Sequence, residues 1–143
     1  MAKVYLSLGT NLGNRLENIN TAVSLIKERV GQIEQDSGAY CTAPWKMQTK
    51  NEFLNSVLQV ETSLSPLQLL FTLQKIEQDM GRTQKTQRGM YEDRIIDIDI
   101  LLYDRLHIST YELTIPHPHI WDRPFVMRGL AILDPAFIEQ KIP

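Results

Sequence analysis

The run Ile95-Ile96-Asp97-Ile98-Asp99-Ile100-Leu101-Leu102-Tyr103 sets two carboxylates two residues apart in an otherwise apolar segment. A β-strand sends successive side chains to opposite faces, so Asp97 and Asp99 share one face while Ile96, Ile98, Ile100 and Leu102 fill the other. Aspartate is a poor strand former, and two negative charges at this spacing repel, so a compensating cation is expected. Hard oxygen donors this close suit Mg²⁺ bridging substrate phosphates. The plainer reading is that both aspartates decorate a solvated strand face. Ile95, Leu101 and Tyr103, expected on the same face, argue against it.

Cationic residues precede this strand. Arg82, Lys85, Arg88 and Arg94 lie in a stretch with no acid between Met80 and Tyr91. Arginines on a loop can fork onto phosphate oxygens and neutralise charge on a transferred group, although a solvated basic loop is the simpler account of such a run. Gly9-Thr10-Asn11-Leu12-Gly13 stands where phosphate is sometimes cradled before a helix. It lacks a P-loop ending and dinucleotide-fingerprint spacing, so a tight structural turn is the better reading. His117-Pro118-His119 has no Cys, Asp or Glu at a familiar zinc spacing.

These residues need a scaffold, and hydrophobic periodicity supplies one. Val4, Leu6 and Leu8 alternate with Lys3, Tyr5 and Ser7 as a strand. Asn14 then reads as an N-cap with Glu17 three positions on, followed by Leu16, Ile19, Val23, Ile26 and Val30 at helical spacing until Gly31 offers a stop. Gln32 to Cys41 and Phe53 to Thr62 read as two strands joined by the polar loop Thr42 to Asn51, an ordered surface excursion of the kind that often carries function. Ser65-Pro66-Leu67-Gln68 has the form of a capping box opening a second helix that ends near Gly81. Arg82 to Arg94 is expected to be a mobile loop before the aspartate strand. The order β-α-β-β-α-β predicts an α+β, ferredoxin-like plait, an antiparallel sheet with two helices on one face. After it come a hairpin and a last short helix, Arg123 to Leu133, ended by Asp134-Pro135.

The chain has 143 residues, a usual size for one domain, so a single domain over 1–143 is expected. A net charge of −2 argues against nucleic acid or anionic membrane as the main partner. The lone Cys41, the absence of an apolar signal core in MAKVYLSLG and the lack of a membrane-length apolar run predict a cytoplasmic protein.

Several segments, YLSLGTNLG, YCTAPW, FLN, QKIEQDMGR, RIIDIDIL and TIPHPHIWDRPFV, together resemble the 6-hydroxymethyl-7,8-dihydropterin pyrophosphokinases of folate biosynthesis over nearly the whole chain. The signature is an arginine before two aspartates (Arg94, then Asp97-Ile98-Asp99), then proline-histidine with arginine and phenylalanine beyond (Pro116-His117, Arg123, Phe125). The resemblance implies that the pterin's hydroxymethyl oxygen attacks the β-phosphorus of ATP and that AMP leaves. It also implies two Mg²⁺ ions on Asp97 and Asp99, with Arg82 and Arg94 on the phosphates as further catalytic groups. By the same carry-over Gln74, Glu77, Ile98, Thr114, His117 and Arg123 line the ATP site. Thr42, Pro44, Trp45, Phe53, Asn55 and Phe125 surround the pterin, Asn55 reading the ring edge and His117 donating to phosphate.

The chain departs from the family pattern in places. Gln84 and Glu112 stand where arginines are common, and Arg88 to Arg94 is about two residues longer than the usual lid, whose tryptophan would be replaced by Met90 or Tyr91. The loops near Gly9 to Gly13, Thr42 to Asn51 and Arg82 to Asp93 are expected to close over substrates. Two other readings fit the sequence less well. An RNA-recognition module would need aromatic and basic residues on the central strands, where Asp97 and Asp99 stand instead. A non-catalytic family member would lack the carboxylates and arginines that are present here. ATP and a pterin alcohol are the expected partners of a monomer.

Overall fold

The computed structural model describes residues 1–43, 52–81 and 95–140, and its elements follow the periodicity of the chain. Strand β1 (Ala2–Thr10) leads to helix α1 (Arg15–Arg29), then β2 (Gly31–Asp36), β3 (Tyr40–Thr42), β4 (Phe53–Thr62), α2 (Pro66–Asp79) and β5 (Asp97–Tyr103). A hairpin of β6 (Ile108–Ser109) and β7 (Thr114–Ile115) precedes α3 (Pro124–Leu133) and α4 (Pro135–Glu139). The sheet order is β2-β4-β1-β5, with β3 pairing to the first residues of β4, and the pairings are antiparallel. The architecture is therefore a mixed α and β fold built on an antiparallel sheet.

Both expected helix starts are realised. The Asn14 side chain accepts from the Glu17 N–H, satisfying one of the donors that a helix start leaves open. Ser65 and Gln68 form the reciprocal capping box, with Pro66 at the first turn.

One sheet face is closed by these helices. Ile19, Ala22 and Ile26 of α1 and Leu69, Leu73 and Ile76 of α2 pack against Val4, Leu6, Leu8, Leu58, Val60, Ile98 and Ile100. On the opposite face Tyr5, Val57, Leu101 and Leu102 pack with Ile120 and with Val126 and Leu130 of α3. That cover stops short of the end of the sheet where β1 and β4 pair Gly9 with Asn55.

The structure corrects two expectations and extends two others. The apolar alternation of β5 breaks at a register shift opposite Tyr5 and Leu6. The extra residue moves Leu102 to the α3 face and Tyr103 to the helix face, where its hydroxyl donates to the Leu64 carbonyl at 2.6 Å. Helix α1 ends at its C-cap Val30, just before Gly31 as expected, but Gly31 serves as the first residue of β2, where a Cβ would stand 2.0 Å from the Glu61 carbonyl oxygen. Gln32 to Cys41 is split into β2 and β3 at a turn where Gly38 has a φ of +80°. Asp134 does not merely end α3, because its side chain accepts from the Phe137 N–H and caps α4.

Candidate active site

Three strands present one floor. Gly9 of β1 lies opposite Asn55 on one side and Asp97 on the other, while Ser7 lies opposite Val57 and Asp99. Residues opposite in register share a face, so Ser7, Gly9, Asn55, Asp97 and Asp99 face away from α1 and α2. There they line one pocket with Thr42, Ala43, Phe53, Arg123 and Phe125. Chain turns bring the walls in: Thr42 ends β3 opposite Phe53, and Arg123 and Phe125 sit at the start of α3.

The pocket has two chemically distinct ends. At one, Asn55 is 5% exposed and its amide N–H donates to the Thr42 hydroxyl, and Phe53 and Phe125 line the same pocket. Gly9 makes room for it, since a Cβ there would press on the Asn55 amide oxygen at 3.2 Å and on the Phe53 ring at 3.5 Å. At the other end Arg123 Nη1 lies 3.2 Å from Asp99 Oδ2, a buried guanidinium against a partly exposed carboxylate. This is the compensating cation that the aspartate pair required.

His117 completes that end, its Nε2 4.0 Å from Asp99 Oδ2. Its Nδ1 accepts the His119 backbone N–H at 3.1 Å, so the proton of the neutral ring is on Nε2, facing the carboxylate side. Burial, with help from the Arg123 and His119 charges and against the pull of Asp97, pushes the imidazole down to about 4. The ring is neutral near pH 7 and acts as a hydrogen-bond donor.

The carboxylate pair fits Mg²⁺ on the chemistry of its donors. Among the described residues no group of three His, Cys, Asp or Glu is placed to hold a metal. Two carboxylate ligands, leaving the other positions to water and phosphate oxygens, is the arrangement Mg²⁺ prefers.

The structure brings together Thr42, Phe53, Asn55, Asp97, Asp99, Arg123 and Phe125, with His117 beside them. It places other expected residues elsewhere. Ile98 points its side chain into the helix-side core, and its backbone N–H donates to Glu77 Oε2 at 2.8 Å, so the buried Glu77 ties α2 to the edge strand. Gln74 lies on α2 and Thr114 on β7, neither lining this pocket. Pro44, Trp45, Arg82 and Arg94, like Gln84, Met90 and Tyr91, lie outside the described residues, as do most of two of the three loops expected to close, Thr42 to Asn51 and Arg82 to Asp93. Gly9, expected in a turn, lies in β1 and in the pocket floor, and Ser7 and Ala43 join the lining without being expected there. The sequence signal for Ser7 is its alternation with the apolar positions of β1.

A family profile described as 7,8-dihydro-6-hydroxymethylpterin-pyrophosphokinase matches residues 5–135. A relative from Porphyromonas gingivalis, named 2-amino-4-hydroxy-6-hydroxymethyldihydropteridine pyrophosphokinase, is 43% identical over 136 residues, covering 94% of this chain and 92% of its own. A protein of the same name from Aquifex aeolicus is 39% identical, covering 96% and 84%. A mitochondrial folate synthesis bifunctional protein from Pisum sativum is 41% identical over 92% of this chain, which spans 25% of it. The crystal structure of Plasmodium falciparum HPPK-DHPS with pteroate superposes with a TM-score of 0.75 at 17% identity, covering 91% of this chain and 40% of that one. With a profile matching from Tyr5 to Pro135 and a relative aligned along nearly its full length, this chain belongs to the 7,8-dihydro-6-hydroxymethylpterin-pyrophosphokinase family.

Proposed function

We infer that the chain transfers the terminal diphosphate of ATP to the hydroxymethyl oxygen of 6-hydroxymethyl-7,8-dihydropterin. A bond forms from that oxygen to the β-phosphorus, the bond from the β-phosphorus to the oxygen of the α-phosphate breaks, AMP leaves, and the hydroxyl proton passes to solvent. The observation that carries this reading is a single pocket in which an aromatic and amide wall, Phe53, Asn55, Thr42 and Phe125, abuts the Asp97 and Asp99 carboxylates.

A flat heterocycle would stack against Phe53 and Phe125, which line one pocket, with Asn55 fixed by Thr42 to read its edge. Asp97 and Asp99 would hold two Mg²⁺ ions, which when bound offset the charge of the triphosphate. Arg123 keeps Asp99 oriented, and His117 presents its Nε2 proton to a phosphate oxygen. Arg82 and Arg94 are assigned to the phosphates, and Gln74, Glu77, Ile98 and Thr114 to the nucleotide, on family resemblance alone. Pro44 and Trp45 are assigned to the pterin on the same ground. The strand order, with α1 and α2 on one face, supports reading residues 1–143 as one ferredoxin-like domain. No described helix is long and apolar enough to cross a membrane; a monomer working in the cytoplasm is proposed on the composition and the family resemblance alone.

The test is AMP formation from ATP and Mg²⁺ by purified protein, with and without the pterin. AMP that depends on the pterin is expected, and its absence in both tubes would sink the assignment.

A further inference from the structure

The first turn of α3 carries both Arg123, at its N-cap, and Phe125, and something must hold that turn against the sheet. Tyr40 reaches it from β3. Tyr40 is 7% exposed, its hydroxyl donates to the Phe125 carbonyl, and the phenol oxygen accepts the Gly129 backbone N–H. Phe125 and Gly129 stand in the i, i+4 relation of one helical turn, so the phenol hydroxyl bridges that turn of α3. Only glycine permits this approach: a Cβ at Gly129 would lie 2.6 Å from the phenol oxygen and 2.2 Å from Val57 Cγ2. The Arg128 guanidinium sits 4.4 Å above the Tyr40 ring and fixes it from the outer side. Burial pushes the phenol up to about 12, against the pull of Arg128 and the Gly129 hydrogen bond, so it remains protonated and a donor.

Tyr40 pairs in register with Asn55, and Thr42, two residues on, accepts from the Asn55 amide. One short strand thus touches both walls of the pocket. We propose that Tyr40 is a positioning residue whose hydroxyl, set between Phe125 and Gly129, fixes the ring of Phe125 at the working distance from Phe53. The proposal rests on reading the space between those rings as the pterin slot.

Tyr40→Phe keeps the ring beneath Arg128 and removes only the hydroxyl. Wild type and variant would be titrated with 6-hydroxymethyl-7,8-dihydropterin in the presence of Mg²⁺ and a non-hydrolysable ATP analogue, and with the analogue alone. Amide exchange over residues 125–130 would be followed in both proteins without ligand. Loss of one net hydrogen bond should weaken pterin binding roughly three- to tenfold while the analogue Kd stays within about twofold, with faster exchange at Gly129. Unchanged pterin affinity overturns the proposal, as does equal weakening of both ligands, which marks general loosening. Should the wild type bind no pterin, the slot reading itself has failed. Exchange then decides the tether: a change confined to the first turn of α3 upholds it, and none ends it.

Discussion

The two faces of the sheet are made by the same strands and have opposite characters. Toward α1 and α2, strands β1, β4 and β5 present Val4, Leu6, Leu8, Leu58, Val60, Ile98 and Ile100, each almost fully buried. One residue along, the same strands present Ser7, Gly9, Asn55, Asp97 and Asp99 to a pocket. The apolar face provides the rigidity that lets the polar face carry charge repulsion and an open cleft. Because a strand alternates its faces, Asp97 and Asp99 are each held between two core isoleucines.

The division can be broken most strongly at the carboxylates. Asp99→Ala should lower kcat/KM by about a thousandfold, several kcal/mol of lost charge stabilisation, and should also lower the unfolding midpoint, because the buried Arg123 guanidinium loses its Asp99 partner. Turnover that survives at ordinary Mg²⁺ would show that the metal is held elsewhere. Leu6→Ala attacks the other face. Removing a side chain with 0% exposure should cost about 2–5 kcal/mol in denaturant unfolding, while kcat/KM of the protein still folded at low temperature stays near wild type.

His117 sharpens the comparison through pH. Its pKa is lowered from 6.5 to about 4 on folding, so the unfolded chain binds the extra proton between those values, and the stability contribution is complete above about 6.5 and lost as pH falls toward 4. Between pH 7 and pH 5 this amounts to about 2 kcal/mol, which urea titrations in EDTA should show for wild type and not for His117→Gln. Equal pH slopes would mean that the ring is not held neutral by burial. The smallest expected effect is on recognition. Asn55→Ala should raise the pterin KM about tenfold, with the ATP KM unchanged, since one hydrogen-bonding edge is lost beside an intact carboxylate pair.

Local chemistry made much of this legible in sequence. The Asp97-Ile98-Asp99 alternation, the Ser65 to Gln68 capping box and the Asn14 cap are written within a few residues of one another, and each was realised. What depends on a distant partner was not legible. The register shift that sends Leu102 and Tyr103 to unexpected faces arises opposite Tyr5 and Leu6 of another strand. Gly31 is required by the Glu61 carbonyl, and Gly9 by the Asn55 amide, neither near in sequence. Arg123 and Phe125 came from resemblance. Their convergence on Asp99 and Phe53 depends on α3 folding back over β4 and β5.

The claim that the aromatic wall and the carboxylate pair serve one displacement at the β-phosphorus is tested most directly with ATP radiolabelled at that phosphorus. With the pterin and Mg²⁺ present, the label should appear on the pterin as a diphosphate, leaving unlabelled AMP. Label recovered in ADP would mean attack at the γ-phosphorus and would contradict the account.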